Sequence, residues 1–225
     1  MGLLIPPVSK EKVVQWWPMH EGSGDVVGYG GGTNNGATWV QDDKWMGDYA
    51  LSGDGVDDYV ETTNWGEFGS RMGTDFSVAF TLSDGTETDQ VMAIGASGDD
   101  SYLQMRFNLD GTNVVEFKVR DGSRTHMDVY GDTNVLDGGT YRVVCNKIGN
   151  TVDDLQIIIN GSRDSTTPVS TGPFGDGANF TSNVRLFDWH SGGFEMDCIL
   201  DDVIIYGDSL TESEIQQDYL RQHWV

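Results

Sequence analysis

Basic residues are scarce in this sequence of 225 residues, which has 13 Lys and Arg against 36 Asp and Glu and a formal net charge of −23. Lys occurs 5 times, whereas Asp occurs 27 times. This excess of carboxylates repels a polyanion, so the composition excludes a nucleic acid partner bound through phosphate contacts. Low Lys with high Asp indicates adaptation to concentrated salt, which screens the repulsion among surface carboxylates. The alternative is an ordinary acidic protein.

Long apolar runs are also lacking. No run reaches the roughly 18 apolar residues that a bilayer span requires, so we expect no membrane partner. The first residues, MGLLIPPVSKEK, have too short an apolar core and no small-residue cleavage site for a secretory signal. We interpret residues 1–12 as a short N-terminal arm.

Proline and cysteine are rare, with 5 Pro and 2 Cys in the chain. Low Pro beside 30 Gly and 11% aromatic residues argues against a disordered chain and for a loop-rich β protein. Cys145 and Cys198 both lie in strand-like segments, and neither has a Cys or His at metal-ligand spacing. We therefore expect two buried free thiols, although a disulfide stays possible if their strands pair, and we expect no Cys-based catalysis.

Alternating apolar and polar residues run through most of the sequence. The clearest case is YLQMRFNLDGTNVVEFKVR, residues 102–120, where two alternating runs flank Asp110-Gly111 and predict a hairpin with one buried and one wet face. A second hairpin is indicated by LQIIINGSRD, in which Asn160-Gly161 suits a turn that needs positive φ. Further predicted strands are Val13–Trp17, Asp58–Thr62, Phe76–Leu82, Gln90–Ile94, Thr140–Lys147 and Val184–Asp188. Turn signals about every ten residues predict one antiparallel sandwich or barrel.

One helix is predicted, close to the end of the chain, in SLTESEIQQDYLRQHW. Thr211 can cap its first turn while Glu214 reaches back to the cap, which forms a capping box. Leu210 before the cap and Ile215 within the helix complete a hydrophobic staple. An apolar stripe on this helix could pack against the sandwich.

Four segments, taken in order, resemble a known family. They are WWPMHEGSG (Trp16–Gly24), NNGATWV (Asn34–Val40), ALSGDGVDDYVE (Ala50–Glu61) and LDDVIIYGDSLTESEI (Leu200–Ile215). The sequence resembles the laminin-G-like, concanavalin A-like jelly rolls that occur as modules in lectins, glycosidase accessory domains and viral surface proteins. The resemblance implies an all-β, antiparallel two-sheet β-sandwich over residues 13–225, with one short C-terminal helix. It leaves function open, because this fold hosts many functions.

The resemblance also implies a structural calcium site. Related jelly rolls hold calcium with an Asp just ahead of the last strand and with backbone carbonyls, and Asp201 matches that Asp. Calcium takes six to eight oxygen ligands in tolerant geometry. Glu21 is a second candidate ligand, whereas Gly28 stands where many members carry another acidic ligand. Without a metal, Asp201 and Asp202 would accept backbone N–H bonds or face solvent, and strand alternation predicts that they point to opposite faces.

Catalytic patterns are weak. Jelly-roll glucanases use Glu-x-Asp-x-x-Glu on one strand, and the nearest string here, EMDCIL at residues 195–200, lacks the second Glu. The four His show no His-x-x-x-His spacing, and no Ser lies in Gly-x-Ser-x-Gly. We expect no enzyme.

Aromatic residues in loop-like segments are candidates for binding sugar rings. These are Trp45, Trp65 and Trp189, the last with His190 beside it. Trp is also a common packing residue, which is the alternative for each of them.

The two ends of the chain carry the apolar residues that stand apart from the predicted sandwich. Leu3, Leu4 and Ile5 at one end and Trp224 at the other are candidates for assembly contacts. We expect a non-catalytic surface module, first as a virion protein of a halophilic virus (capsid decoration, turret or tail/fibre) that forms homo-oligomers or contacts other virion or surface proteins. The alternative is an extracellular, lectin-like module that binds surface glycans.

Overall fold

The computed structural model describes residues 5–28, 31–41, 46–62, 75–85, 90–95, 102–107, 111–120, 125–171, 184–188 and 195–222. Its strands are β1 (Val13–Trp17), β2 (Thr33–Asn35), β3 (Thr38–Gln41), β4 (Tyr49–Asp54), β5 (Tyr59–Glu61), β6 (Asp75–Ser83), β7 (Gln90–Gly95), β8 (Tyr102–Phe107), β9 (Val115–Arg120), β10 (His126–Tyr130), β11 (Thr140–Ile148), β12 (Leu155–Ile159), β13 (Ser162–Arg163), β14 (Thr167–Thr171), β15 (Arg185–Leu186) and β16 (Asp197–Tyr206). The α-helix α1 spans Glu212–Arg221, and 3₁₀ turns occur at Lys10–Lys12, Met46–Asp48 and Val152–Asp154. In the described part of the chain, no helix has the length and apolar character that a bilayer crossing needs.

The strands form three antiparallel sheets. The large sheet has the order β13-β12-β11-β6-β16-β4-β3, with β1 also paired to β16. The second sheet has the order β14-β10-β9-β8-β7, and a small sheet has the order β15-β5-β2. The predicted all-β antiparallel sandwich with one C-terminal helix is therefore confirmed, and the third sheet is an addition to it.

The core lies between the large sheet and the five-stranded sheet, because each strand turns its apolar residues to that side. Phe76 contacts Phe117 edge to face at 6.2 Å, and Phe80 contacts Phe107 in the same way at 6.1 Å, so each pair bridges the two sheets. Edge-to-face rings are a favourable aromatic geometry. Both cysteines are buried and free, as predicted.

Helix α1 covers the outer face of the large sheet. An apolar cluster joins the two; it consists of Ala79, Val144, Ile158, Ile204, Tyr206, Leu210 and Ile215, with Val8, Val13 and Trp16 packed against it. The helix begins at the predicted capping box. Glu214 N donates to Thr211 Oγ1 at 3.3 Å, and Thr211 N donates to Glu214 Oε2 at 2.7 Å. Two backbone donors of the first turn are thus satisfied.

Two arginines and two aspartates are buried between the outer face of the large sheet and helix α1. Arg142 of β11 pairs with Asp218 of α1 through Nε and Oδ2 at 2.7 Å, and with Asp202 of β16 at 3.0 Å. Arg221 pairs with the same two carboxylates. Trp16 Nε1 donates a hydrogen bond to Asp202 Oδ1 at 2.7 Å. Burial works against the charged forms, but the two arginines outweigh it and lower the pKa of Asp218.

Residues 5–12 of the N-terminal arm lie along the helix. Ser9 Oγ donates to Glu214, and Lys12 Nζ lies 3.0 Å from Glu214 Oε2. Arg221 Nη1 donates to the Ile5 carbonyl at 3.0 Å, so the two ends of the described chain meet. The division between an arm at residues 1–12 and a domain at 13–225 stays a prediction, and Leu3, Leu4 and Trp224 lie outside the described residues.

A β-bulge in β16 interrupts the alternation of side chains that the sequence predicted for Asp201 and Asp202. Asp201 pairs with Thr81 of β6, whereas Ile204 pairs with Ala79, so two residues of β16 oppose one of β6. Asp202 takes the left-handed conformation that the bulge requires, with φ 46°. Thr81 lies on the helix-covered face, where its hydroxyl accepts from the buried guanidinium of β11. Cross-strand partners share a face, so both acids point to the helix side, and the expectation of opposite faces was wrong.

Candidate functional site

The outer face of the five-stranded sheet carries a three-by-three array of polar and aromatic side chains. Its inner positions fill the core, and alternation sends the other residues of β8, β9 and β10 outward. The register aligns them in three rows: Tyr102, Arg120 and His126; Gln104, Lys118 and Asp128; Arg106, Glu116 and Tyr130. We refer to these nine residues as the polar face.

Two acids of the polar face are buried although they lie on the outer side of the sheet. Glu116 is 1% exposed and Asp128 is 2% exposed. The side chains of Arg106 and Lys118 keep 23% and 15% exposure. A buried carboxylate is costly unless it is paired or protonated, which makes this cluster unusual for the outside of a sheet.

Each buried acid has a basic neighbour. Arg106 Nε lies 3.1 Å from Glu116 Oε2, and Lys118 Nζ lies 3.3 Å from Asp128 Oδ2. The Arg106 N–H is not aimed at the Glu116 carboxyl group, so these two groups lie close together without a hydrogen bond between them. Both acid–base pairs therefore run between neighbouring strands, one from β8 to β9 and the other from β9 to β10.

The rim of the polar face is aromatic and basic. The Arg120 guanidinium lies over the Tyr102 ring at 5.2 Å, within cation–π range. Tyr130 and His126 are half-buried at the other side of the array. Both kinds of side chain present an apolar body with a polar tip.

Several buried atoms of the polar face form no hydrogen bond with any of the described residues as long as both acids are ionised. They are Glu116 Oε1 and Oε2, Asp128 Oδ1, Arg106 Nε and Arg120 Nε. Buried polar atoms in folded proteins are nearly always satisfied, by the protein, by water or by a ligand. A cluster of such atoms on one sheet face is a candidate ligand site.

The two acids of the polar face also act on each other. Burial, a hydrogen bond with Asp128 and the charge of Asp128 raise the pKa of Glu116 to about 8, against the opposing charges of Arg106 and Lys118. Glu116 is therefore mainly protonated at pH 7, and its O–H can be donated to Asp128. Like charges this close do not both ionise readily.

A second polar cluster surrounds Arg185 on the small sheet. Its guanidinium lies 4.2 Å from the Tyr59 ring centre, 3.1 Å from Glu61 and 2.9 Å from Asp188. Glu61 lies directly opposite Arg185 on β5, and Asp188 is 2% exposed. The charge of Arg185 is therefore already paired within the cluster.

The predicted sugar-binding residues Trp45, Trp65, Trp189 and His190 lie outside the described residues, so their role stays a prediction. The polar face was not singled out from sequence as a site. The signal was present, because alternation placed Arg106, Glu116 and Lys118 on one wet face. Alternation alone does not tell which outward residues are buried.

The two predicted calcium ligands have different surroundings. Asp201 is fully buried opposite Thr81, whereas Glu21 Oε1 accepts from Val27 N at 3.0 Å. Asp201 fits a calcium site as one carboxylate, with backbone carbonyls or water needed for the remaining ligands. The calcium assignment stays a prediction.

Within the described ranges, one group of three acids is close enough to share a cation, and it includes neither predicted ligand. It consists of Asp54, Asp57 and Asp58 in the turn after β4. Asp58 Oδ2 accepts a hydrogen bond from Asp54 N at 3.0 Å, so the Asp58 carboxylate already stabilises this turn. Burial, followed by the nearby charges of Asp54 and Asp57, raises the pKa of Asp58.

Comparison with known proteins adds a family and a fold. The family described as the concanavalin A-like lectin/glucanases superfamily matches residues 54–216. No curated protein matches the sequence.

Solved structures with the same fold include receptor-binding domains of botulinum neurotoxins. The type G domain has a TM-score of 0.67 and 13% identity, covering 94% of this chain and 51% of that one. A structure of botulinum neurotoxin type C, whose cell entry depends on interaction with two ganglioside molecules, has a TM-score of 0.64 and 12% identity, covering 94% of this chain and 52% of that one. A DC domain in complex with rat synaptotagmin II has a TM-score of 0.66 and 12% identity, covering 95% and 52%. The chain spans about half the length of these structures, and the likeness concerns the fold.

Proposed function

This chain belongs to the concanavalin A-like lectin/glucanases superfamily, and on that basis we propose that it is a non-catalytic binding module that holds a saccharide on the polar face. The observation that carries the proposal is the cluster of buried donors and acceptors without hydrogen bonds on β8, β9 and β10. The fold suits the role, because a domain of the same fold belongs to a neurotoxin whose cell entry depends on gangliosides.

The chemistry of the polar face matches that of sugar hydroxyls. A hydroxyl both donates and accepts, so it can satisfy an N–H of Arg106 or Arg120 and an oxygen of Glu116 together. Tyr102 and Tyr130 lie at opposite corners of the array, where an apolar ring and a phenol O–H can pack beside a sugar ring. The pattern of a few placed polar groups with aromatic walls is typical of small-molecule sites.

The same acids argue against glycoside hydrolysis. Cleavage requires two carboxyl groups separated by about 5 Å or more, so that the sugar bond fits between them. Glu116 and Asp128 are both buried, and Arg106 and Lys118 lie against them, so no sugar bond reaches the space between the two acids. Their arrangement supports binding.

A glycan array, followed by calorimetric titration of the best ligand, tests the proposal. Arg120→Gln and Gln104→Ala remove groups of the polar face and should weaken binding at least about tenfold, or about 1.4 kcal/mol. Arg163→Gln is the matched control, because Arg163 is an exposed arginine on β13 of the other sheet. The proposal fails if no glycan binds the wild type, or if the control loses as much affinity as the polar-face variants.

We also propose a setting for the module, namely the surface of a virion of a halophilic virus. The net charge of −23 supports work in concentrated salt, where carboxylate repulsion is screened. Assembly through the chain ends is supported by the contact of Arg221 with the Ile5 carbonyl, which brings both ends to one place. An extracellular lectin-like module is the alternative setting.

Removing residues 1–4 tests assembly through the chain ends. This deletion keeps Ile5 and the contacts of Ser9 and Lys12 with the helix, so the melting temperature should be unchanged. The deleted protein should be monomeric in sedimentation analysis, whereas the full chain should form oligomers in molar salt. A full chain that is monomeric, or a deleted chain that assembles normally, would refute this assembly.

A further inference from the structure

The polar face concentrates positive charge in a protein that has little of it. Three of the 13 basic residues of the chain, Arg106, Lys118 and Arg120, lie on this one face. Two acids lie among them, so the face carries an excess of one positive charge even when both acids are ionised. The chain as a whole carries −23.

Lys118 lies between the two arginines of the polar face. Lys118 and Arg120 are two residues apart on β9, so their Cβ atoms stand about 7 Å apart on the same side of the sheet. Arg106 lies on the adjacent strand, diagonal to Lys118, at a Cβ separation of about 7–8 Å. Arg106 and Arg120 are four positions apart along the strands, roughly 13 Å, so one anionic group is reached by Lys118 together with one of the two arginines.

Most of the groups on the polar face that still lack a hydrogen-bond partner are donors. The raised pKa of Glu116 leaves it an O–H that can be donated to Asp128, and Lys118 Nζ lies 3.3 Å from Asp128 Oδ2. The Nε–H groups of Arg106 and Arg120 then remain without an acceptor among the described residues. Guanidinium N–H groups form their strongest hydrogen bonds with carboxylates and other oxyanions.

We propose that the polar face selects saccharides that carry an anionic group, with a carboxylate-bearing sugar as the expected class. This inference rests on the proposed function, because it names the kind of saccharide held at that site. Each further negative charge on the ligand meets the repulsion of the acidic chain outside the face, so sparsely charged sugars bind better than polysulfated chains. Lys118 and Arg120 contact the anionic group, and the hydroxyls face Gln104.

Matched pairs of ligands that differ in one charge test this inference. The probes are sialyllactose against lactose, and an oligogalacturonide against its methyl ester, titrated calorimetrically at pH 7. The acidic member of at least one pair should bind at least tenfold more tightly than its neutral partner. Arg120→Gln should reduce that ratio toward one, Arg120→Lys should keep part of it, and Arg163→Gln on the other sheet should keep all of it. Melting curves establish that each variant is folded.

The outcomes separate the two proposals. Equal binding of acidic and neutral members would overturn the anionic preference and leave saccharide binding standing. A preference that persists unchanged in Arg120→Gln would overturn the assignment to the polar face. If a full glycan array, acidic and neutral, gives no binding at all, the proposed function fails, and the anionic preference fails with it.

Discussion

Two arginines and two aspartates, closed off from water, tie strand β11, strand β16 and helix α1 together at the residue scale. Arg142 and Arg221 each pair with both Asp202 and Asp218. An intact buried network of this kind adds little compared with apolar packing, because desolvation offsets the attraction. Removing one member is different, since it leaves an uncompensated charge in a site without water.

Asp218→Asn should therefore destabilise the protein by about 3–5 kcal/mol, because both arginines lose a carboxylate. Glu212→Gln is the control, since Glu212 is exposed on the same helix and its loss should cost less than about 1 kcal/mol. Urea unfolding measures both variants. A loss below about 1 kcal/mol in Asp218→Asn would show that the network is not essential to the fold.

Glu116 gives the stability a distinctive dependence on pH. Its pKa in the folded protein, about 8, lies above the ordinary value of 4.5, so the proton is held more tightly by the folded state. The stability from this group is complete below pH 4.5 and is lost as the pH rises to about 8, by at most about 1.4 kcal/mol per pH unit. Glu116→Gln should not lose this stability, so its stability relative to that of the wild type should increase between pH 5 and 8.

Thermal melting from pH 4 to pH 9 measures that difference. Glu212→Gln, which changes an exposed acid, should follow the wild type throughout. A constant offset between Glu116→Gln and the wild type at all pH values would contradict the assigned titration of Glu116.

Asp201 allows a direct test of the calcium prediction. If Asp201 holds calcium, chelation should lower the melting temperature of the wild type, because a ligand at 100 times its Kd adds about 2.7 kcal/mol of stability. Asp201→Asn should abolish the response. Asp57→Asn, in the group of three acids after β4, should keep it. Elemental analysis that finds no metal after purification in calcium would rule the site out.

At the scale of elements, local patterns predicted most of the fold. The hairpin of β8 and β9 follows from its apolar alternation, and the turn at Asn160-Gly161 has the two positive φ values, 52° and 77°, that its sequence favours. The capping box at Thr211 and Glu214 occurs with both of its hydrogen bonds. These features depend on residues close in sequence, which is why the sequence predicts them.

The features that the sequence did not reveal depend on contacts between distant residues. The bulge at Asp202 has no local signal, because an Asp is not required at positive φ. Arg106, Glu116 and Asp128 lie close together because of the register between three strands. The burial of the two acids depends on what packs over the sheet. Alternation predicts the face of the sheet on which a side chain lies, but not how far that side chain is buried.

The arm and the helix form one unit in which Glu214 is central. Burial opposes its charge, but hydrogen bonds from Ser9, Thr211 and Lys12 outweigh this and lower the pKa of Glu214 to about 2. The resulting stability is present above the ordinary pKa of 4.5 and is lost as the pH falls toward 2.

Glu214→Gln should therefore be less stable than the wild type at pH 6, and the gap should close between pH 5 and 2. Melting curves of both proteins over that range measure the gap, and exposed Glu212→Gln is again the control. A gap that stays constant down to pH 2 would show that the ionised carboxylate does not hold the arm to the helix.

For the whole molecule, the net charge dominates the expected behaviour. Lowering salt from about 1 M to 0.1 M lengthens the screening distance from about 3 Å to 10 Å, so surface carboxylates repel one another more strongly. The melting temperature should fall, by about 2–4 °C for each kcal/mol lost in a domain of this size. A triple variant that neutralises exposed acids, Asp57→Asn, Asp132→Asn and Asp153→Asn, should fall less. A wild-type melting temperature that is flat or rises at low salt would contradict halophilic adaptation.

The bulge in β16 also matters for aligning this protein with its relatives. One extra residue lies between the stretch that ends at Asp201 and the stretch that begins at Val203, while the pairing on both sides stays in step with β6. A relative without the bulge aligns correctly only when a one-residue gap is opened here. An ungapped alignment would exchange inward and outward positions along half of the strand and could assign a role belonging to Asp201 to Asp202, or the reverse.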